Sequence, residues 1–329
     1  MEIAQRHLDL FLAHRKFVLT THMSSDGDGL GSQLAMAHGL RSLGCEVALI
    51  NPTPVPPNFE FLLSHPGEIV TPGEMKEPRS AFDGALTVVL DMGAFDRLGA
   101  VLPLTKFGEG IVVIDHHRMD RVAGVEYILD TSACATGEMV SRILDALNIP
   151  YNFAIAQALF VAIYTDTGGF RYPGTTPETL RLAARLLEYG VDPQRVYTEI
   201  FERQSATRLR LTGEILSTLK ISPGSKVAWL VVDRPMLDRA GAQWEDADDM
   251  VNFTLQIDGV EAGFYFKELD TGVTKASCRS RGVFAVDQFV ALWGGGGHHH
   301  AAGVRLSMAM KEAIALIIPA AMKALESER

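Results

Sequence analysis

Four short runs of this sequence, Phe17 to Thr21, Glu46 to Ile50, Ala85 to Leu90 and Ile111 to Ile114, are apolar almost throughout. A strand with one wet face alternates in polarity; an unbroken apolar run suits a strand covered on both faces. Helical signatures lie between them, at Leu8 to His14 and at Ser32 to Leu43, the latter stopping at Gly44, a natural helix terminator. Buried strands alternating with helices predict a parallel α/β sheet.

The pattern changes at Thr136. Gly137 to Leu147, Phe153 to Tyr164, Pro177 to Tyr189 and Pro193 to Phe201 have helical spacing, with Pro177 and Pro193 where a first turn tolerates them. Glu202 to Leu219 reads as a connecting helix, and strand-like alternation resumes at Lys226 to Val232, Glu261 to Phe266 and Thr274 to Arg279. The expectation is an α/β protein. It has an N-terminal parallel-sheet domain over residues 1–190, a helical linker over 191–220 and a smaller mixed α/β domain over 221–329. At 329 residues the chain has room for both.

The residues just beyond the apolar runs carry the chemistry. His22, Asp26 and Asp28 come after the first run; Asp91 after the third; Asp115, His116 and His117 after the fourth; Asp166 closes the helix begun at Phe153. Parallel strands deliver side chains from their C-terminal ends into one crevice. Carboxylates and imidazoles there suit manganese or magnesium better than a thiol-loving metal. Each acid has a plainer reading. Asp26 and Asp28 also suit a helix cap, Asp91 an ordinary turn, and Asp166 a solvated helix end. Two adjacent histidines behind an acid are the most specific element: neighbouring side chains of an extended backbone point apart. One can therefore ligate while the other meets a substrate. In the C-terminal part, Arg279 and Ser280 offer phosphate-binding donors. The Gly294 to Gly297 run, including Gly296 and Gly297, permits close backbone approach, and His298 comes directly after it. His299 and His300 read as incidental. There is no Gly-x-x-x-x-Gly-Lys-Ser/Thr loop, no dinucleotide fingerprint and no zinc-type cysteine pair. The combination points to metal-assisted hydrolysis at phosphorus.

Composition narrows the setting. No apolar stretch reaches the ~18 residues of a membrane span, and the N-terminus lacks a signal-peptide apolar core. Cys45, Cys134 and Cys278 are too dispersed for a disulfide framework, so a reducing cytoplasm is expected. A net charge of −10 disfavours a groove for long duplex nucleic acid, but permits a short nucleotide held by a few arginines and metal ions.

In this order, His22, Asp26-x-Asp28, Asp91, Asp115-His116-His117 and Asp166 resemble the DHH phosphoesterase superfamily. Arg279-Ser280 and Gly295-Gly296-Gly297-His298 with Ala301-Ala302-Gly303 resemble its C-terminal DHH-associated domain. Ser25 departs from the proline common in that turn. The two-domain length looks most like the group acting as oligoribonuclease and 3′-phosphoadenosine-5′-phosphate (PAP) phosphatase. The resemblance implies two manganese ions, with magnesium the alternative, and an active site in the interdomain cleft. One ion would take His22, Asp26 and Asp91, and the other Asp28, Asp91, His116 and Asp166, with a hydroxide activated between them. His117, with Asp91 and Asp115, would be catalytic. Arg279, Ser280, Gly296, Gly297 and His298 would bind substrate, and relatives of this kind suggest a homodimer. The expected substrates are short RNA oligonucleotides, cut to mononucleotides, and nucleotide 3′,5′-bisphosphates. Breakdown of cyclic or linear dinucleotides (cyclic di-AMP, pApA, pGpG) is the competing enzymatic reading. An inactive nucleotide-binding module is the non-enzymatic one, and it predicts a missing ligand where none is missing.

Overall fold

The computed structural model describes residues 3–224, 226–270 and 272–327, apart from the side chains of Asp270, His298 and Ser327. The chain divides into two compact units between Arg203 and Gln204. The first contains α1 (Gln5–Ala13), β1 (Lys16–Thr20), α2 (Gly27–Ser42), β2 (Glu46–Ile50), β3 (Ile69–Val70), α3 (Pro78–Phe82), β4 (Leu86–Leu90), β5 (Gly110–Asp115) and β6 (Glu126–Leu129). Helices α4 (Thr136–Ala146), α5 (Phe153–Asp166), α6 (Pro177–Leu187) and α7 (Pro193–Tyr197) complete it.

Its sheet runs β3-β2-β1-β4-β5-β6 and is parallel throughout. The winding reverses between β1 and β4, which opens a crevice at their C-terminal ends. Alternate residues feed opposite layers, as strand geometry requires. Phe17, Leu19, Val88, Leu90, Val112 and Ile114 join the main core, whereas Val18, Val89 and Val113 are buried on the other face. Burying each such side chain contributes roughly 1.5–3 kcal/mol. Two-sided burial is why these strands read as unbroken apolar runs.

Helix α2 starts at Gly27, five residues before the expected Ser32. Its glycines serve close packing as well as turning. A Cβ at Gly31 would lie 2.3 Å from the Ala158 carbonyl oxygen of α5, and one at Gly29 would lie 2.3 Å from the Thr21 hydroxyl. The buried helix α5, apolar all round from Ile155 to Ile163 except for Gln157, is therefore drawn tightly against α2. Strands β3 and β6 leave no clear sequence signal because they are short and occupy the sheet edges.

The second unit contains α8 (Ala206–Ser217), β7 (Lys220–Ile221), β8 (Val227–Val232), α9 (Arg234–Ala240), β9 (Ala262–Asp270), β10 (Val273–Ser280), α10 (Val286–Ala291), β11 (Gly296–His298), β12 (Ala301–Leu306) and α11 (Met310–Ser327). Its sheet, β11-β12-β10-β9-β8-β7, is mixed, with β8 and β9 parallel and the other pairs antiparallel. Helices α10 and α11 cover one face through Phe289, Val290, Ile317, Ala321 and Leu325, and α8 and α9 pack in a separate core with Leu230 and Tyr265. The expected strands at Lys226, Glu261 and Thr274 are β8, β9 and β10. All three cysteines are buried and free. Among the described residues, no helix is long and apolar enough to cross a membrane.

Candidate metal centre

The crevice between β1 and β4 collects every acid and histidine expected there. His22 leaves β1, Asp26 caps α2, Asp28 lies in its first turn, and Asp91 leaves β4. Asp115 ends β5, His116 and His117 come next, and Asp166 ends α5. Within the crevice, His22, Asp26 and Asp91 present one ligand atom each within 4.8 Å of one another. So do Asp28, His116 and Asp166, and also Asp91, His116 and His117. Asp91 joins these groups: its Oδ2 lies 3.8 Å from His22 Nε2, and its Oδ1 lies 3.6 Å from His116 Nε2.

The donor atoms fit a cation. His116 Nδ1 lies 3.3 Å from the Ala133 carbonyl, to which it can donate, and this leaves the Nε2 lone pair free. That Nε2 is buried and lacks a hydrogen-bond partner among the described residues. Three carboxylate oxygens surround it, of Asp166 at 3.5 Å, Asp91 at 3.6 Å and Asp28 at 3.8 Å. His22 Nδ1 lies 2.8 Å from the Met23 carbonyl, which selects the same tautomer. Arg97 Nη2, 2.7 Å from that nitrogen, favours the opposite one, so only the Met23 pairing leaves His22 ready to ligate.

The electrostatics agree. Burial, then the like charges of Asp91, Asp166 and Asp26, pushes the Asp28 carboxyl well up. Burial also raises Asp166 to about 6, with His116 opposing and Asp91 and Asp26 adding. Carboxylates crowded in this way are stabilised as anions by a cation. Residues not singled out in the sequence already hold Asp28 in place. Its oxygens accept from Thr136 N–H at 2.7 Å, Gly137 N–H at 2.9 Å and Ser32 Oγ at 3.0 Å, and Thr136 Oγ1 donates to Asp91 at 3.1 Å. The available signal was the small polar Thr-Gly pair opening a helix, whose N-terminal amides favour an anion.

Asp26 caps α2, as one reading of it expected, and also faces His22. Its Oδ1 accepts from Asp28 N–H and Gly29 N–H, both at 3.1 Å, and lies 3.7 Å from His22 Nε2. Asp115, one of the residues expected to be catalytic, is wholly buried and accepts from Met92, Gly93 and His117 N–H, with His117 Nδ1 at 2.9 Å. Its hydrogen bond, and then that of Asp91, raise His117 to about 10 against the effect of burial.

In the second unit, Arg279 is half-buried on β10; its guanidinium donates to the Cys278 carbonyl and meets no acid among the described residues. Ser280 is turned inward: its hydroxyl donates to Phe284 O at 2.5 Å and lies 2.9 Å from His300 Nδ1. The Ser280 hydroxyl thus braces β10 internally against the segment before α10 and against His300. Gly296 and Gly297 form β11, paired with β12. A Cβ at Gly297 would lie 2.5 Å from the Ala301 carbonyl, while Gly296 faces open space. The expected role of the His298 side chain lies outside the described residues.

Comparison with known proteins gives a consistent result. The DHH family, N-terminal domain, matches residues 16–163, and the DHHA1 domain matches residues 224–326. The Thermus thermophilus bifunctional oligoribonuclease and PAP phosphatase NrnA is 34% identical over 288 residues, spanning 88% of this chain and 83% of that protein. The Bacillus subtilis protein of the same name is 25% identical over 292 residues, spanning 88% of each. A solved exopolyphosphatase-related protein from Bacteroides fragilis superposes with a TM-score of 0.90 at 27% identity, covering 98% of this chain and 97% of that one.

Proposed function

The chain belongs to the DHH family of phosphoester-hydrolysing enzymes, and from that premise we propose that it cuts short oligoribonucleotides to mononucleotides and converts PAP to AMP. The observation that carries a two-ion reading is Asp91, with one oxygen towards His22 and the other towards His116. His22, Asp26 and Asp91 would hold one divalent ion, and Asp28, Asp91, His116 and Asp166 the second, manganese being the first choice. When bound, such ions lower the pKa of water and offset charge on phosphoryl oxygens.

The chain's own groups supply the rest. His117, turned by its hydrogen bond to Asp115, faces a phosphoryl oxygen as charge builds on it. Asp115 keeps the ring turned for that task. Thr136, Gly137 and Ser32 hold Asp28 in position with preformed donors. Arg279, unneutralised by any described acid, grips a second phosphate of the substrate, with Gly296, Gly297 and His298 beside it in sequence.

Hydrolysis of an RNA dinucleotide, PAP, pApA and cyclic di-AMP, with manganese and then a chelator, tests the reading. Fast manganese-dependent turnover of the first two is expected. Cleavage confined to cyclic di-AMP and pApA would move the enzyme to dinucleotide breakdown. Arg279→Ala should weaken substrate affinity while leaving manganese binding unchanged, and equal substrate affinity in variant and wild type would remove Arg279 from the site.

A further inference from the structure

A cavity of 510 Å³ is lined by Met92, Phe95, Arg118, Met119, Asp120 and Val122 among others. Its size is within the ~300–1,000 Å³ typical of small-molecule sites. Its walls are the segments directly after two site residues, Met92 after Asp91 and Arg118 after His117. The Asp115 carboxylate ties those walls together, accepting from Met92 and Gly93 on one side and from His117 on the other. Phe95 and Met119 pack on the apolar layer formed by Val89, Met92 and Val113, giving the cavity an apolar side. Arg118 is exposed, with no acidic partner among the described residues. The function proposed above leaves this cavity unused.

One metal centre that acts on both a 3′-phosphate and an internal RNA diester must cut the bond common to both, P–O3′. In each case water oxygen joins phosphorus and the 3′-oxygen leaves with a proton. The diester then carries one group that the bisphosphate lacks, the nucleoside esterified through its 5′-oxygen. We propose that the cavity receives that nucleoside, its base packing on Phe95 and Met119 and Arg118 meeting the next phosphate of a longer oligomer. This inference rests on the oligoribonuclease and PAP-phosphatase reading.

Val122, half-exposed at the rim, allows the cavity to be filled without touching a ligand residue. In the manganese-loaded full chain, Val122→Trp should lower kcat/KM for a 5′-phosphorylated RNA dinucleotide by about tenfold or more, the scale of losing a base–aromatic contact. Turnover of PAP should be unchanged. Arg118→Ala should lower kcat/KM for a trinucleotide more than for PAP, and it decides the matter alone if Val122→Trp shows an altered thermal transition. Equal losses on both substrates, or no loss on the RNA, would overturn the assignment of the cavity. Wild-type protein that cleaves neither substrate would instead end the functional reading itself.

Discussion

Asp91 combines backbone strain with a position facing both ligand groups. Its φ of 53° lies in the left-handed region, which asparagine tolerates and most residues resist. The Ile114 carbonyl and the Thr136 hydroxyl hold it there. Asp91→Asn should therefore keep the fold, with a melting temperature no lower than that of wild type, and lose turnover. The loss should exceed the ~10–100-fold typical of removing a ligand's outer partner. Retained activity with normal metal content would refute the bridging role. Asp115→Asn tests the positioning role: an amide nitrogen would face backbone or imidazole donors, at a stability cost of about 1–3 kcal/mol. Denaturant unfolding of this variant reads that loss directly.

At the scale of elements, the metal centre depends on how closely α2 approaches α5. Gly31→Ala would press a methyl group against the Ala158 carbonyl, where backbone rather than a flexible side chain must yield. The expected loss is about 1–3 kcal/mol of stability. Manganese affinity should also weaken, because Asp28 and Asp166 lie on the helices being separated. Wild-type metal affinity in a destabilised Gly31→Ala protein would show that the helix contact does not set the site. A second tie joins α2 to the chain before β3: Glu68 accepts from Arg41 Nη1 at 2.5 Å and from Ser64 N–H at 2.6 Å. Although burial acts against it, those donors hold the Glu68 carboxyl below its ordinary value. A carboxyl depressed on folding contributes stability above its unfolded pKa and loses it as pH falls through the folded one. Glu68→Gln should thus be less stable than wild type at pH 7 by about 1–3 kcal/mol. The two proteins should converge as pH falls below the ordinary carboxylate range, and a gap independent of pH would assign the effect to packing instead.

At the scale of the whole molecule, each unit has its own core, and the expected metal ligands all belong to the first. A ligand bound only by the native state stabilises the unit that holds it, by about 2.7 kcal/mol at a hundredfold excess over Kd. Calorimetry with manganese should therefore raise the transition of the first unit, and chelation should reverse it. A shift confined to the second unit would place the ion elsewhere. The net charge of −10 is consistent with this: four of the acids converge on one crevice, where a cation relieves their mutual repulsion.

Strand number near the sheet centre and the acids and histidines that gather in the crevice were legible in the sequence. Two-sided burial writes itself as unbroken apolar runs, and parallel strands present the residues at their C-terminal ends along one edge. The early start of α2 was hidden because glycines read as a turn until Ala158 and Thr21 are seen crowding them. Which histidine offers a free nitrogen and which is locked to Asp115 was equally out of reach. His116 and His117 are neighbours in sequence, and their roles diverge through the Ala133 carbonyl and the Asp115 carboxylate. The backbone donors to Asp28, Thr136 and Gly137, come from more than a hundred positions away. The sequence by itself determined which residues reach the crevice, because local periodicity reports burial and strand ends. Tertiary structure alone decided which oxygen faces which nitrogen, because that depends on helix approach and on hydrogen bonds between distant segments.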